Sequence, residues 1–305
     1  MKKEKHMKKL LAMLLCAAMI LSLTACGDGY KTDKNAKAED IFSAAMTNLS
    51  TTVKTMLDKD AESSPFSFKL NGSVSAALKM PAEAASAAGD TDLSITASAE
   101  ANGLVDNKKG ASVTLKAETN AMKVLGSLFG ALMPADKAAE DLKIEAGAYV
   151  DLESGKTYVQ DPDTKSWSWT SFDPDDLKKA DLKEVETATL DKVFETYTFT
   201  VEKEAYIFEG TAKTEAVNAD ALGNEMISEI GGIIKDLKPA LKLTVDPDKR
   251  VTGAVMTVKD YTLDLGEMLG LSAVISDLSM DLGITYGPVS YQLPDDVKNA
   301  PEKKD

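Results

Sequence analysis

Few residues in this chain could do covalent or metal chemistry, and their positions decide what they can do. The sequence holds one histidine, His6, and two cysteines, Cys16 and Cys26, all within its first 26 residues. A lysine-rich start (Lys2, Lys3, Lys5, Lys8, Lys9) leads into an apolar run from Leu10 to Leu23. This is the pattern of a secretory signal, too short and wrongly flanked for an ordinary membrane span. Removal of such a signal takes the histidine and Cys16 with it. What remains cannot build a Ser-His-Asp triad, a Cys-His pair or a conventional zinc site. Nor can it close an internal disulfide, although an exported location permits them. Carboxylate pairs are the remaining route to catalysis, since glycoside hydrolysis needs only two acids at a set separation. With 49 acidic residues in the chain, the presence of a pair discriminates nothing. The chain is read as a non-enzyme with no catalytic residue.

Leu23-Thr24-Ala25-Cys26 resembles the lipobox of bacterial lipoproteins. The resemblance implies cleavage of residues 1–25 and diacylglycerol on Cys26. It also implies a lipid anchor on the extracytoplasmic face of a bacterial cell membrane. No other cofactor and no metal are expected. The signal carries five of the 35 basic and one of the 49 acidic residues, leaving 30 and 48, a formal charge of −18. Such a surface repels phosphate backbones and anionic headgroups, so no nucleic-acid partner is expected and the anchor alone holds the membrane.

The elements that must position any site follow from periodicity. Residues 26–36 are small, polar and charged, the composition of a flexible tether. Ile41, Phe42, Ala45, Met46, Leu49, Val53, Met56 and Leu57 recur at helical spacing and predict an amphipathic helix over 38–58. The period then becomes two. Phe66, Phe68, Leu70, Val74, Ala76 and Leu78 alternate with polar residues, as do Leu93–Ala99 and Val113–Ala117. One buried and one wet face predict an antiparallel meander. Residues 81–90 read as a loop, 122–133 as a helix, and 142–151 and 156–160 as strands. Trp167 and Trp169 sit two apart, on one side of a strand. Asp173-Pro174 looks like the start of a short helix through Leu182. A hairpin over 194–213, a helix over 219–237, a hairpin over 240–264, an apolar helical insert over 265–276 and a last strand over 278–286 complete the order. A single domain is expected over 37–296, with 297–305 a disordered tail.

This order resembles the LolA-like superfamily of lipoprotein carriers and lipid-binding lipoproteins. The carrying residues are the helix around Phe42–Leu57, Gly155-Lys156-Thr157-Tyr158-Val159 with Trp167-Ser168-Trp169, and Tyr286-Gly287-Pro288-Val289 through Leu293-Pro294-Asp295. The chain also resembles uncharacterised Gram-positive surface lipoproteins. The first resemblance implies an α+β fold, a long curved antiparallel half-barrel with helices packed on its concave face. It implies a membrane-anchored module that binds a hydrophobic ligand, a lipid or a lipoprotein acyl chain. The alternative is a ligand-free envelope or adhesion module recognising a protein or glycan.

Candidate ligand-lining residues are Ala97, Ala99 and Ala117, whose small side chains leave room, with Leu128, Phe129, Met226 and Ile230 from the helices and Trp167 and Trp169 at a mouth. The same alanines could instead let helices approach closely over a filled interior, and the tryptophans could pack on the sheet. Asp161–Asp163, Asp173–Asp175 and Asp246–Asp248 each enclose a proline. None offers the spacing of a calcium loop, and turn chemistry accounts for them.

Overall fold

The computed structural model describes residues 32–56, 58, 60–79, 93–129, 141–172, 188–213, 238–264 and 272–303; at 125, 127–129, 263 and 264 it describes the backbone only. Alternating sequence becomes one open, curved antiparallel sheet of eleven strands. They are β1 (Phe66–Lys79), β2 (Ser94–Asp106), β3 (Gly110–Thr119), β4 (Leu142–Asp151), β5 (Lys156–Gln160), β6 (Trp167–Ser171), β7 (Phe194–Val201), β8 (Tyr206–Ala212), β9 (Ala240–Val245), β10 (Val251–Asp264) and β11 (Ser272–Tyr286). The order across the sheet is β6-β5-β4-β3-β2-β1-β11-β10-β9-β8-β7. Two meanders therefore meet at the centre, where β1 lies along β11 from Phe66↔Tyr286 to Lys79↔Ser272.

Register places one apolar row after another on a single face. Tyr206, Val245 and Val251 align across β8, β9 and β10. Tyr286, Phe66, Val105, Ala111, Val150 and Thr157 continue the row across β11 and β1–β5. Helix α1 (Ala38–Thr55) lies over this end of the sheet. Its stripe of Ile41, Phe42, Ala45, Met46 and Leu49 is buried against Phe66, Phe68, Val105, Val150, Phe208, Leu243, Val245, Val251 and Leu282. The Phe42 ring meets Phe208 edge-on, with centroids 5.6 Å apart. Glu39 and Asp40 in the first turn and Lys54 in the last complement the helix dipole.

The second half of α1 and the chain just beyond it are tied to strand turns. Asn48 Nδ2 donates to the Lys249 carbonyl at 2.7 Å in the β9–β10 turn. Beyond the helix, fully buried Asn107 in the β2–β3 turn donates to the Glu62 carbonyl at 2.9 Å and accepts from the Ser64 amide at 3.1 Å. At the other end of the strands, α2 (Ala121–Phe129) buries Val124 against Leu78 and Ala273. Two short helices, α3 (Leu190–Val193) and α4 (Asp295–Lys298), complete the described elements.

The face opposite α1 carries the polar alternates. Glu100, Lys116 and Glu145 stand in register across β2, β3 and β4. They join a ladder of ion pairs: Lys69–Glu100 at 3.1 Å, Lys116–Glu145 at 3.0 Å and Lys143–Glu118 at 2.9 Å.

Several boundaries differ from those the sequence predicts. The first helix ends at Thr55, where the Asp58 amide bonds the Thr55 carbonyl at 3.0 Å and turns the chain. Ser272–Ile275, expected within a helical insert, are the first residues of β11 and pair with both β1 and β10. A strand with neighbours on both sides buries more of each face, which blurs its alternation, and Val274-Ile275 favour extended backbone. Residues 32–36, expected within a flexible tether, are fastened to the domain. Buried Thr32 donates to the Glu202 carbonyl, and the Asp33 amide donates to Tyr206 Oη at 2.9 Å.

At the other terminus, order continues past 296. The Trp169 amide donates to the Pro301 carbonyl at 3.1 Å and the Lys303 amide to the Trp169 carbonyl at 2.9 Å, covering the β6 edge. The segments expected as a signal (1–25), a loop (81–90) and helices (173–182 and 219–237) lie outside the described residues, as does 265–271.

Candidate functional site

Between the cluster under α1 and the cluster under α2, the apolar face changes character. Along β1, Phe66, Phe68 and Leu70 give way to Gly72 and Val74. Their cross-strand partners on β2 are Ala99 and Ala97, which face Ala117 and Thr119 of β3. These in turn face Ile144 and Leu142 of β4. On the other side Gly72 pairs with Met280 and Val74 with Leu278 of β11, and Met280 with Met256 of β10. Small residues in the middle with larger ones on both flanks make a trough.

That trough is a groove of about 400 Å³, lined by these residues and almost wholly apolar at its surface. Its size falls within the range of small-molecule sites, about 300–1,000 Å³. Large apolar side chains exposed elsewhere are rare among the described residues. Leu142 (46%), Ile144 (37%) and Met280 (37%) all line the groove; the fourth is Tyr197. Three of these four residues therefore keep apolar surface in contact with water side by side in one trough.

Beside it the sheet is irregular. Register shifts between Ser75 and Ala76, Ser276 donates to the Ser75 carbonyl at 3.1 Å, and Asp260 adopts φ 53°. A bulge of this kind bends the strand and raises the local twist, here where the groove meets the α2 cluster.

The sequence-derived candidates divide in two. Ala97, Ala99 and Ala117 come together in the groove. Leu128 and Phe129 lie in α2, but their side chains are outside the described set, and Met226 and Ile230 are outside it altogether. Trp167 and Trp169 are not part of the groove. They lie on the opposite face, because Tyr149 and Gly147 alternate with the buried Val150 and Ala148. Trp167 packs on Tyr149 with centroids 5.4 Å apart and fills the space over Gly147, where a Cβ would lie 2.7 Å from the indole. Lys156 Nζ sits 4.0 Å from the Trp169 ring centre, a cation–π contact. The tryptophans therefore pack on the sheet, and Gly147 is the residue that makes room. Sequence reasoning misses Leu142, Ile144, Met256, Leu278 and Met280. Alternation marks their facing, but only the pairing of β1 with β11 brings the last three to the alanines.

Several polar groups of the sheet, beside the groove and away from it, are already engaged. Glu118 pairs with Lys143 on the other face. Hydrogen bonds from Asn102 and Lys69 hold the Glu100 carboxyl below its ordinary value of 4.5, and those from Lys116 do the same for Glu145. Burial pushes the Tyr286 and Tyr291 phenols well above their ordinary range, and each donates at 3.0 Å to a backbone carbonyl, Val251 and Val150. Asp161 Oδ1 accepts from the Asp163 and Thr164 amides at 2.9 and 2.7 Å, and Asp246 Oδ1 accepts from the Arg250 amide at 2.9 Å. These aspartates close turns, and Asp173–Asp175 lies outside the described residues. Among the described residues the arrangement is suited to shape-selective burial of apolar matter, with no group poised for proton transfer at the groove. No protein-family model matches the chain, and no curated protein matches it.

Proposed function

We propose that this protein is a membrane-anchored extracytoplasmic lipoprotein whose domain binds a hydrophobic ligand, a lipid or lipoprotein acyl chain, along the groove lined by Ala97, Ala99 and Ala117. The anchor is diacylglycerol on Cys26, and the domain is a LolA-like half-barrel with its helices on the concave side. The exposed apolar groove is the observation that carries the reading. Its surface offers little to a sugar or peptide, since even the Thr119 hydroxyl already donates to the Thr96 carbonyl at 2.9 Å. A methylene chain, by contrast, loses water along its whole length there. Each methylene buried contributes about 0.8 kcal/mol, roughly fourfold in Kd. The alternative of a ligand-free module reading a glycan or protein is less well supported, because Trp167 and Trp169 are packed against Tyr149 and Lys156.

Native mass spectrometry of the full protein, extracted from its host membranes in mild detergent, tests the proposal. The expected spectrum shows diacylglycerol on Cys26 and, in addition, a releasable lipid. Recovery of only the ligand-free form, even after host lipids are added, would sink it. Titration with fluorescent fatty acids of increasing length should give affinity that rises with each methylene until the groove is full.

A further inference from the structure

The chain is fastened to its own domain at a position that fixes which end of the sheet stays near the anchor. Thr32 and Asp33 bond Glu202 and Tyr206 at the β7–β8 turn, and the Asn35 and Ala36 amides close a turn on Asp33 at 2.8 and 3.1 Å that feeds α1. From Cys26 to Thr32 is six residues, a reach of at most roughly 20–22 Å. Strand β10 alone has 14 residues, about 46 Å. A tether less than half as long as the strands cannot bring either end of the sheet to the bilayer equally.

Register shows which end is held. Tyr206 aligns with Val245 and Val251, and Tyr286, paired with Phe66, donates its hydroxyl to the Val251 carbonyl at 3.0 Å. The groove begins six residues along β1 from Phe66, at Gly72, and reaches Val74, so it lies roughly 20–27 Å away along the strands. We infer that the end bearing the β7–β8 and β9–β10 turns is the surface this protein turns toward the lipid bilayer, and that the groove is presented away from it. The inference rests on the proposed lipidation of Cys26. Charge works in the same direction: a body of formal charge −18 is repelled by anionic headgroups, so it does not lie flat on the surface that anchors it. A hydrophobic ligand would then reach the groove from the aqueous side and not by sliding out of the same leaflet.

The test uses the full protein, purified from host membranes and reconstituted into phosphatidylglycerol–phosphatidylethanolamine vesicles that carry acceptor-labelled lipid. With Cys26 acylated, a single added cysteine takes the donor dye. Exposed Lys203→Cys reports the held end, and exposed Lys259→Cys, eight residues beyond Val251 on β10, reports the other. Given an axial separation of about 27 Å, energy transfer from 203 should exceed that from 259 by roughly twofold or more. Inserting a Gly/Ser linker several times the natural length between Gly29 and Tyr30 should erase the difference. Equal transfer from the two positions in the natural protein, or greater transfer from 259, overturns the orientation. Intact mass distinguishes the two proposals. Absence of the diacylglycerol mass on Cys26 overturns the lipoprotein reading and the orientation with it, whereas its presence with equal transfer overturns the orientation alone.

Discussion

One sheet face carries two unlike regions on the same strands. Under α1, β1 presents Phe66 and Phe68, and the helix answers with Ile41, Phe42 and Met46, so the space is filled. A few residues along, β1 presents Gly72 and Val74 opposite Ala99 and Ala97, and the space is left as a groove. Backbone pairing is continuous from one region to the other. Side-chain volume, not a change of fold, separates structural core from candidate site. Stability should therefore concentrate under α1 and binding in the trough.

The sharpest break of that contrast is Phe42→Ala. Phe42 is buried and touches Phe194 and Phe208, so its loss should cost about 3–5 kcal/mol in urea unfolding. A cost under about 1 kcal/mol would mean that α1 is dispensable to the filled region. Asn107→Ala comes next. It orphans the Ser64 amide and frees the Glu62 carbonyl, and should cost about 1–3 kcal/mol by the same measurement.

In the groove the ranking should invert. Ala99→Trp should change stability by no more than about 0.5 kcal/mol, while weakening fatty-acid binding by roughly tenfold or more, about 1.4 kcal/mol. A large loss of stability instead would show that the groove is occupied by the protein itself. The smallest effect concerns the face behind both regions. Glu100 and Glu145 titrate below their ordinary 4.5 when folded, so what they add is present above that pH and is lost as pH falls through their folded values. Thermal melts should show a slight fall below pH 4.5 that added salt reduces, because exposed pairs are screened.

Much of this division is legible in the order of the residues. Alternation in Phe66–Leu78 and Val113–Ala117 marks strands and their facing, and the run Ala97, Ala99, Ala117 marks a thin place in the wall. What sequence cannot carry is pairing between distant strands. Met256, Leu278 and Met280 join the alanines only because β11 returns beside β1. The tryptophans escape sequence reasoning for a related reason. A spacing of two puts Trp167 and Trp169 on one side, but the register Tyr158↔Trp169 decides which side. Composition alone reads Thr32 as part of a flexible segment, because its partner, Glu202, lies 170 residues away.

The pairing of β1 with β11 also bears on when this protein can exist. Phe66 and Tyr286 stand near opposite ends of the described chain, yet they close the middle of the sheet. Until the last strand arrives, β1 has an open edge on that side and the filled region lacks Leu282, Ile284 and Tyr286. Contacts so distant in sequence slow folding, because loop closure must precede the gain from pairing. A chain with its keystone at the far end completes its sheet only once the last strand has been made.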